Sequence, residues 1–400
     1  MAGPAARTKH TAACAVAVAA ALLALRPGGP ARPATATAAS PLAAGGAHLE
    51  LGPGPGLEGF SRALAPHAFR LPLDHGPHYA YQTEWWYYTG NLDAPGGARF
   101  GFQLTFFRRG LTPGPPPVNG LASNQVCFAH FAITDVAAGR HVAAERFARG
   151  AGGLAGATGE PFSVWLEDWR VESTNADGSA LRLVAADADT GLRLDLRLQS
   201  KKPLVAHGEG GLSAKSREAG NASYYVGYTR LAASGLVGLG PRTLGATGEA
   251  WFDHEWSTSA LGAGAVGWDW FSLQLDDGRE LMHFRLRRAD GSLQPASSGT
   301  FVLTDGHTRG LARDDVRVEP LRYWRSPDTG VTYPSGWRVQ VPSQGLDLRV
   351  EPWIEAQEMR TSFVYWEGAV RVSGTAGGRP VGGRGYVELT GYGRSMQGVF

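Results

Sequence analysis

The chain has 400 residues, more than one hydrophobic core usually organises, so two domains of ordinary size are expected. Its 38 basic and 36 acidic residues leave a formal net charge of +2 with no block of like charge, which argues against nucleic acid or an acidic membrane as partner. Gly at 56, Pro at 25, and 12 Trp, 12 Tyr and 16 Phe describe frequent turns between aromatic segments, an all-β composition.

Residues 1–40 read as an export signal, because Arg7, Lys9 and His10 precede an apolar run from Thr11 to Leu25 and small residues follow in ATATAAS. That run is short and Ala-rich for a membrane span, and no other stretch reaches roughly 18 apolar residues. The mature chain is therefore expected to carry no transmembrane segment and to lie in the periplasm or outside the cell. Cys127 is then its only cysteine, so packing and not a disulfide must hold it together. Residues 41–65 are Gly, Pro, Ala and Leu without period, which predicts an extension with little structure of its own, and folded sequence is expected from near Phe69.

Beyond it, HYAYQTEWWYYTGNLDA, a turn at PGG, RFGFQLTFFRR, VCFAHFAITDV, SVWLEDWRVEST, LRLVAADA and LRLDLRLQS are short runs ended by turn residues. This is the spacing of antiparallel strands joined by hairpins. In TEWWYY, residues 83–88, Glu84, Trp86 and Tyr88 share one face and Trp85 and Tyr87 the other. Both faces are aromatic, so the strand is expected to be covered on both sides. Glu84 is then a buried carboxylate that needs either an Arg partner or a raised proton affinity. His130 in CFAHFAI and His283 in LMHFRL are single histidines in apolar strands, with core roles and ligand contact both open.

The Gly-rich GLVGLGP near 235–245 predicts the domain boundary, giving units 66–240 and 241–400. Next comes GEAWFDHEWS, residues 248–257. As a regular strand it sends Phe252, His254 and Trp256 to one face and Trp251, Asp253 and Glu255 to the other. The inward face of a small barrel lines its ligand cavity, so His254 is expected as the polar group of an apolar pocket, the alternative being a core histidine bonded to a carboxylate. Asp253 and Glu255 reach an imidazole only through a bulge, and otherwise anchor a neighbouring loop.

GAGAVG at 262–267 precedes the strand WDWFSLQL and not a helix, so it is no dinucleotide fingerprint. GxSxG is missing, which leaves a serine-nucleophile elbow unsupported. His75, His78, His130, His254 and His283 lack HExxH or close helical spacing, so no metal and no cofactor are expected. Further hairpins read around DDG and SQG, and in LDLRV the residues Leu346, Leu348 and Val350 share a face. WYYTGNL at 86–92 and VYWEGAV at 364–370 echo each other, which fits duplication and two barrels.

HYAYQTEWWYYTGNL, CFAHFAITD, YYVGYTRLAASG, GEAWFDHEWS, GWDWFSLQLDDGRELMHFRLR and YWEGAVRVSG with GRGYVELTGY, in that order, resemble the lipocalin-like family of carotenoid 1,2-hydratases and exported proteins labelled secreted hydrolases. The resemblance runs from about 69 to 400. It implies two consecutive lipocalin-like antiparallel β-barrels with a cleft or cavity for an apolar molecule. The hydratase branch has a His-x-Trp that lands on His254 and Trp256, and an acidic residue two after a Tyr on a following strand; LMHF places Leu281 and His283 there, which points to the exported branch.

Hydration chemistry would need a desolvated acid, for which Asp253, Glu84 and Asp269 are candidates, and a group such as His254 to hold the water. Indole faces such as Trp256 or Trp270 would stabilise the cation by about 0.5–2 kcal/mol each. Trp85, Trp86, Phe252, Trp268, Trp270, His130 and His283 are the expected ligand contacts. The expectation is an exported protein that adds water to an isoprenoid or lipid-like substrate, as hydratase or hydrolase. Its rivals are a non-catalytic carrier of such molecules and an accessory protein associated with a membrane transporter.

Overall fold

The structure, a computed structural model, describes residues 57–117, 122–259 and 261–398. The expected export signal at 1–40 and residues 41–56 of the extension lie outside the described residues. The first sheet comprises β1 (Thr83–Ala94), β2 (Ala98–Gly110), β3 (Gln125–Asp135), β4 (Arg140–Arg149), β5 (Ala155–Gly159), β6 (Phe162–Leu166), β7 (Trp169–Ser173), β8 (Ala180–Asp187), β9 (Leu192–Ser200), β10 (Val205–Ala206), β11 (Leu212–Ala214), β12 (Ala222–Leu239) and β13 (Arg242–Ser257). The second comprises β14 (Ala265–Leu275), β15 (Glu280–Arg288), β16 (Ser298–Val302), β17 (Thr308–Ala312) and β18 (Arg317–Pro320). After a small ribbon of β19 (Tyr323–Arg325) and β20 (Thr332–Pro334), it continues with β21 (Trp337–Val341), β22 (Leu346–Pro352), β23 (Glu358–Arg360), β24 (Val364–Ala376) and β25 (Arg379–Leu389).

The first sheet runs β4-β3-β2-β1-β13-β12-β9-β8-β7-β6-β5 and the second β17-β16-β15-β14-β25-β24-β22-β21-β18, with antiparallel pairing. The two orders correspond. Each has a four-strand meander joined to the rest through the last hairpin, and in each the two edge strands follow one another in sequence. In the first sheet the two ends approach each other: the Arg146 guanidinium of β4 lies 4.4 Å over the Trp169 indole of β7, which Phe131 of β3 meets edge-on. The sheet so curls into a nearly closed barrel. The expected all-β pair of lipocalin-like barrels is what forms.

Strand patterning decides the interiors. In β9 the four leucines 192, 194, 196 and 198 are buried while Arg193 and Arg197 between them are exposed, and Leu346, Leu348 and Val350 of β22 share the second interior as expected. Each such side chain contributes about 1.5–3 kcal/mol of burial. β1 and the second half of β13, residues 250–257, differ, being buried on both faces. One face looks into the first barrel and the other meets the second, through a shared layer that includes Tyr87, Trp251, Trp270, Phe284 and Tyr386. Polar ties cross the same interface: Asn91 Nδ2 donates to Gly385 O at 2.9 Å, and Arg230, held by Glu249 of its own sheet, donates to Glu280 of the second at 2.6 Å.

Three expectations change. GLVGLGP is the β12–β13 hairpin, closed at Gly240 with φ +65°, and the chain passes to the second sheet between Ser257 and Ala265. A Gly- and Pro-rich turn and a linker have the same composition, so the sequence did not separate them. Residues 57–65 are folded, with Phe60 and Ala63 buried. WYYTGNL lies on β1 and VYWEGAV on β24, which hold different places in the two strand orders; the counterpart of β24 is β12, with SYYVGYTRL.

Candidate active site

Asp253 and Glu255 project from β13 away from the first barrel's interior. There they line a cleft of about 830 Å³, mouth included, walled by both sheets. Its aromatic walls are Trp85, Phe107, Trp268, Trp270, Phe284 and Phe363. Glu367 and Glu388 enter from β24 and β25, with Tyr87, Tyr225, Tyr365 and Lys215 around them. A mostly apolar, aromatic-walled cleft with a few convergent polar groups is the usual form of a small-molecule site.

The acids of this cleft are unusual. Glu367 and Glu388 are direct cross-strand partners, and Trp270 is the other neighbour of Glu388. Trp268 Nε1 donates to Glu388 Oε2 at 2.7 Å. Burial and the nearby Glu255 charge push Glu388 up to about 7, although the Trp268 bond works against them. Glu367, 1% exposed, has no well-formed hydrogen bond on either oxygen; burial and the Glu388 charge hold it well above the carboxylate range, against the nearby Tyr87 and Tyr365. Two carboxyls side by side in a desolvated wall keep at least one proton at neutral pH.

Burial likewise raises Asp253 well above its usual range, despite donors from Tyr225 Oη at 2.5 Å and Trp251 Nε1 at 2.8 Å. Gly227 on β12 makes room for this carboxyl, since a Cβ there would stand 2.5 Å from Asp253 Oδ1. Glu255 is paired with Lys215 at 3.0 Å, and the Lys215 ammonium also lies 4.5 Å above the Phe284 ring in the cleft wall.

His254 is elsewhere. With Phe252 and Trp256 it takes the opposite face of β13, as the two-residue period requires, but that face is sealed. Residues 60–82 cross it: His78 stacks on Trp256 at 3.7 Å, and His67 and Phe69 meet the same indole edge-on. His254 is 0% exposed, stacks on Trp86 at 4.9 Å and meets Glu84 Oε1 through Nε2 at 2.9 Å. Burial lowers it to about 4, so the ring is neutral at pH 7. The expected imidazole in an apolar cavity is therefore a core histidine bonded to a carboxylate.

Glu84 is that carboxylate. Arg108 Nε donates to its Oε2 at 2.8 Å, the His78 backbone N–H at 2.9 Å, and His78 Nδ1 meets Oε1 at 2.8 Å. Burial alone would raise Glu84, but Arg108 and His78, joined by the His254 bond, hold it well below the usual range. It is an anion and not a proton donor. His78, Glu84 and His254 do bring one ligand-capable atom each within 4.8 Å. A divalent ion there would displace both imidazole bonds to Glu84 beside the Arg108 guanidinium, an unfavourable exchange.

Of the other expected contacts, Trp85, Trp268 and Trp270 line the cleft with Asp253. Trp86 and Phe252 belong to the first barrel's core. Asp269 is tied to Arg287, Arg285 and Tyr392. His283, buried with Leu281, is lowered to about 3, chiefly by burial. His130 stands one layer behind the wall, bonded to Tyr365. Sequence reading missed Glu367, Glu388 and Tyr365. The signal was there, since YWEGAV and YVELTGY each set one carboxylate in an apolar strand, the feature that singled out Glu84.

The model of the AttH-like family matches residues 62–392. The chain belongs to the AttH-like family. A crystal structure from Nitrosomonas europaea described as an AttH is 35% identical, with a TM-score of 0.75 over 84% of this chain and 100% of that one. Kievitone hydratase from Nectria haematococca shares the fold at 16% identity, with a TM-score of 0.63 over 84% of this chain and 97% of that one. Among curated proteins none matches this chain. The resemblance read from the six aromatic segments is thus met in its coarser part, as AttH-like membership and a lipocalin-like fold.

Proposed function

We propose that the cleft between the barrels adds water across a carbon–carbon double bond of an apolar molecule, isoprenoid or lipid-like in class. The observation that carries this reading is the Glu367–Glu388 pair, two side-by-side carboxyls in a wall of indoles that hold at least one proton between them at neutral pH. A proton passes from Glu388 to one alkene carbon, forming C–H as the π bond breaks. The cation left on the other carbon lies against the Trp268 and Trp270 faces, each worth about 0.5–2 kcal/mol. Water then closes on that carbon and gives up a proton. An acid near pKa 7 is well matched to this task at neutral pH, where it is both protonated and able to donate.

The hydratase named among proteins of this fold accords with the reading, as does the apolar lining. The His254–Trp256 pair offered by the carotenoid resemblance lies behind the wall, so the second barrel's acids take the proton-donor role here. The pattern of residues 1–40 supports an exported setting.

The test uses prenylated phenols and acyclic isoprenoids in oxygen-18 water. The expected result is a product heavier by one labelled water, lost in the Glu367→Gln/Glu388→Gln double variant while binding persists. Tight binding by the parent with no label in any compound would refute hydration and favour the carrier, which the aromatic lining of the cleft also suits.

A further inference from the structure

We infer that Glu145, His130 and Tyr365 form a proton relay across the barrel interface, taking up the proton released when water adds in the cleft. The inference rests on the hydration reading and names the base that it lacks. His130 on β3 faces Glu145 on β4 as a direct cross-strand pair, with His130 Nε2 and Glu145 Oε1 2.8 Å apart. His130 Nδ1 is 2.8 Å from Tyr365 Oη, which belongs to the second sheet and lines the cleft beside Glu367. Neither barrel alone contains this chain of groups.

The direction of each bond follows from Glu145. Its carboxyl also accepts the Ser362 backbone N–H at 2.9 Å and the Ser362 hydroxyl at 2.6 Å. Burial would raise it, but the His130 and Ser362 bonds bring it below its ordinary range, so it is an anion and can only accept. His130 therefore carries its hydrogen on Nε2. On the neutral ring Nδ1 is then a bare lone pair, to which the Tyr365 hydroxyl donates. The phenol proton thus points away from the cleft and its oxygen lone pairs are free to face the cleft.

The surroundings suit proton movement along this line. His130 is 0% exposed and ringed by Phe107, Phe363 and Phe128 at 5.0–5.7 Å, while Glu145, 16% exposed, reaches the surface. Glu145 is the charged group bonded to the imidazole, and Glu367 is the titratable group facing Tyr365. When water adds, its oxygen bonds to the carbocation and one of its O–H bonds breaks. That proton goes to Tyr365 Oη as the phenol proton moves to His130 Nδ1, leaving imidazolium against Glu145. Loss of the Nε2 proton through Glu145 to solvent leaves the ring protonated on Nδ1; a proton entering from solvent at Nε2 then sends the Nδ1 proton back to Tyr365 Oη as the phenol's cleft-facing proton passes to the acid pair, which restores every group with one water added to the substrate.

Two measurements test this. In protein labelled with nitrogen-15 histidine, with His130 assigned by its absence in His130→Gln, the ring is expected as the Nε2–H tautomer with a hydrogen-bonded, unprotonated Nδ1. An Nδ1–H tautomer would overturn the relay whatever the substrate. On a prenylated phenol shown to take up labelled water, Tyr365→Phe and Glu145→Gln are each expected to lower kcat by about a hundredfold at little-changed KM, with Glu145→Asp partly restoring it. Undiminished kcat in both variants would overturn the relay and leave hydration standing. No water uptake by the parent protein would remove the hydration reading first.

Discussion

Glu388→Gln replaces a titrating carboxyl by an amide of the same shape that still accepts from Trp268 Nε1. The parent carboxyl moves from 4.5 to about 7 on folding. At about 1.36 kcal/mol per pKa unit the ionised form costs the fold up to ~3 kcal/mol. Because the side chain is partly open to the cleft, about 2 kcal/mol is the expected effect. The sign follows from the raised folded value: stability is fully present below about pH 4.5 and is lost as pH rises through about 7. The amide cannot ionise, so the variant should gain on the parent by about 2 kcal/mol between pH 5 and pH 8.5.

Thermal melts at those two pH values read this directly. At roughly 2 °C per kcal/mol for a protein this large, the gap in Tm should widen by about 4 °C in the variant's favour. Other titrating groups are common to both proteins and cancel, while Glu367, freed of a like-charged neighbour, adds in the same direction. An unchanged gap would mean that Glu388 ionises as in water, and the proposed proton donor would be lost.

Arg108→Met should destabilise the fold by about 3–5 kcal/mol by leaving Glu84 buried without its guanidinium, and Arg108→Met/Glu84→Leu should recover much of that loss in urea melts. His254→Gln should lower Tm yet leave cleft affinity unchanged, followed by tryptophan quenching with a prenylated phenol; a large loss of affinity would return the site to the other face of β13. Glu84 and Asp74 lie below their ordinary values, Glu84 through Arg108 and His78 and Asp74 chiefly through the His78 bond, both against burial. Their stabilisation should hold above about pH 4.5 and fade as acid is added, and a pH series of melts showing no acid-side loss would contradict the ionised cluster. Gly101→Val should weaken docking of the barrels, since a Cβ there falls 2.6 Å from that of Ala369, and should show as faster proteolysis with little change in far-ultraviolet dichroism.

By itself the sequence determined the all-β class, the double burial of TEWWYY, the interior faces of strands such as LDLRV, and, through six ordered aromatic segments, a lipocalin-like kinship that the AttH-like match meets in its coarser part. It also marked Glu84 as a buried carboxylate in need of an Arg or a raised proton affinity, of which Arg108 on the neighbouring strand supplies the first, and it named Asp253, Trp85, Trp268 and Trp270, which line the cleft, among its candidates. Those features are local, fixed by the two-residue period and by what a buried charge requires.

Tertiary structure decided which face of β13 meets a cavity. Periodicity sorts His254 and Asp253 to opposite sides but cannot say what covers each, and only the path of residues 60–82 closes the His254 side. Folding also brought Glu145 to Tyr365, and Trp85 to Glu388, across hundreds of positions. A site built at the meeting of two barrels belongs to neither strand pattern, because its chemistry comes from desolvation that appears when the second sheet docks on the first.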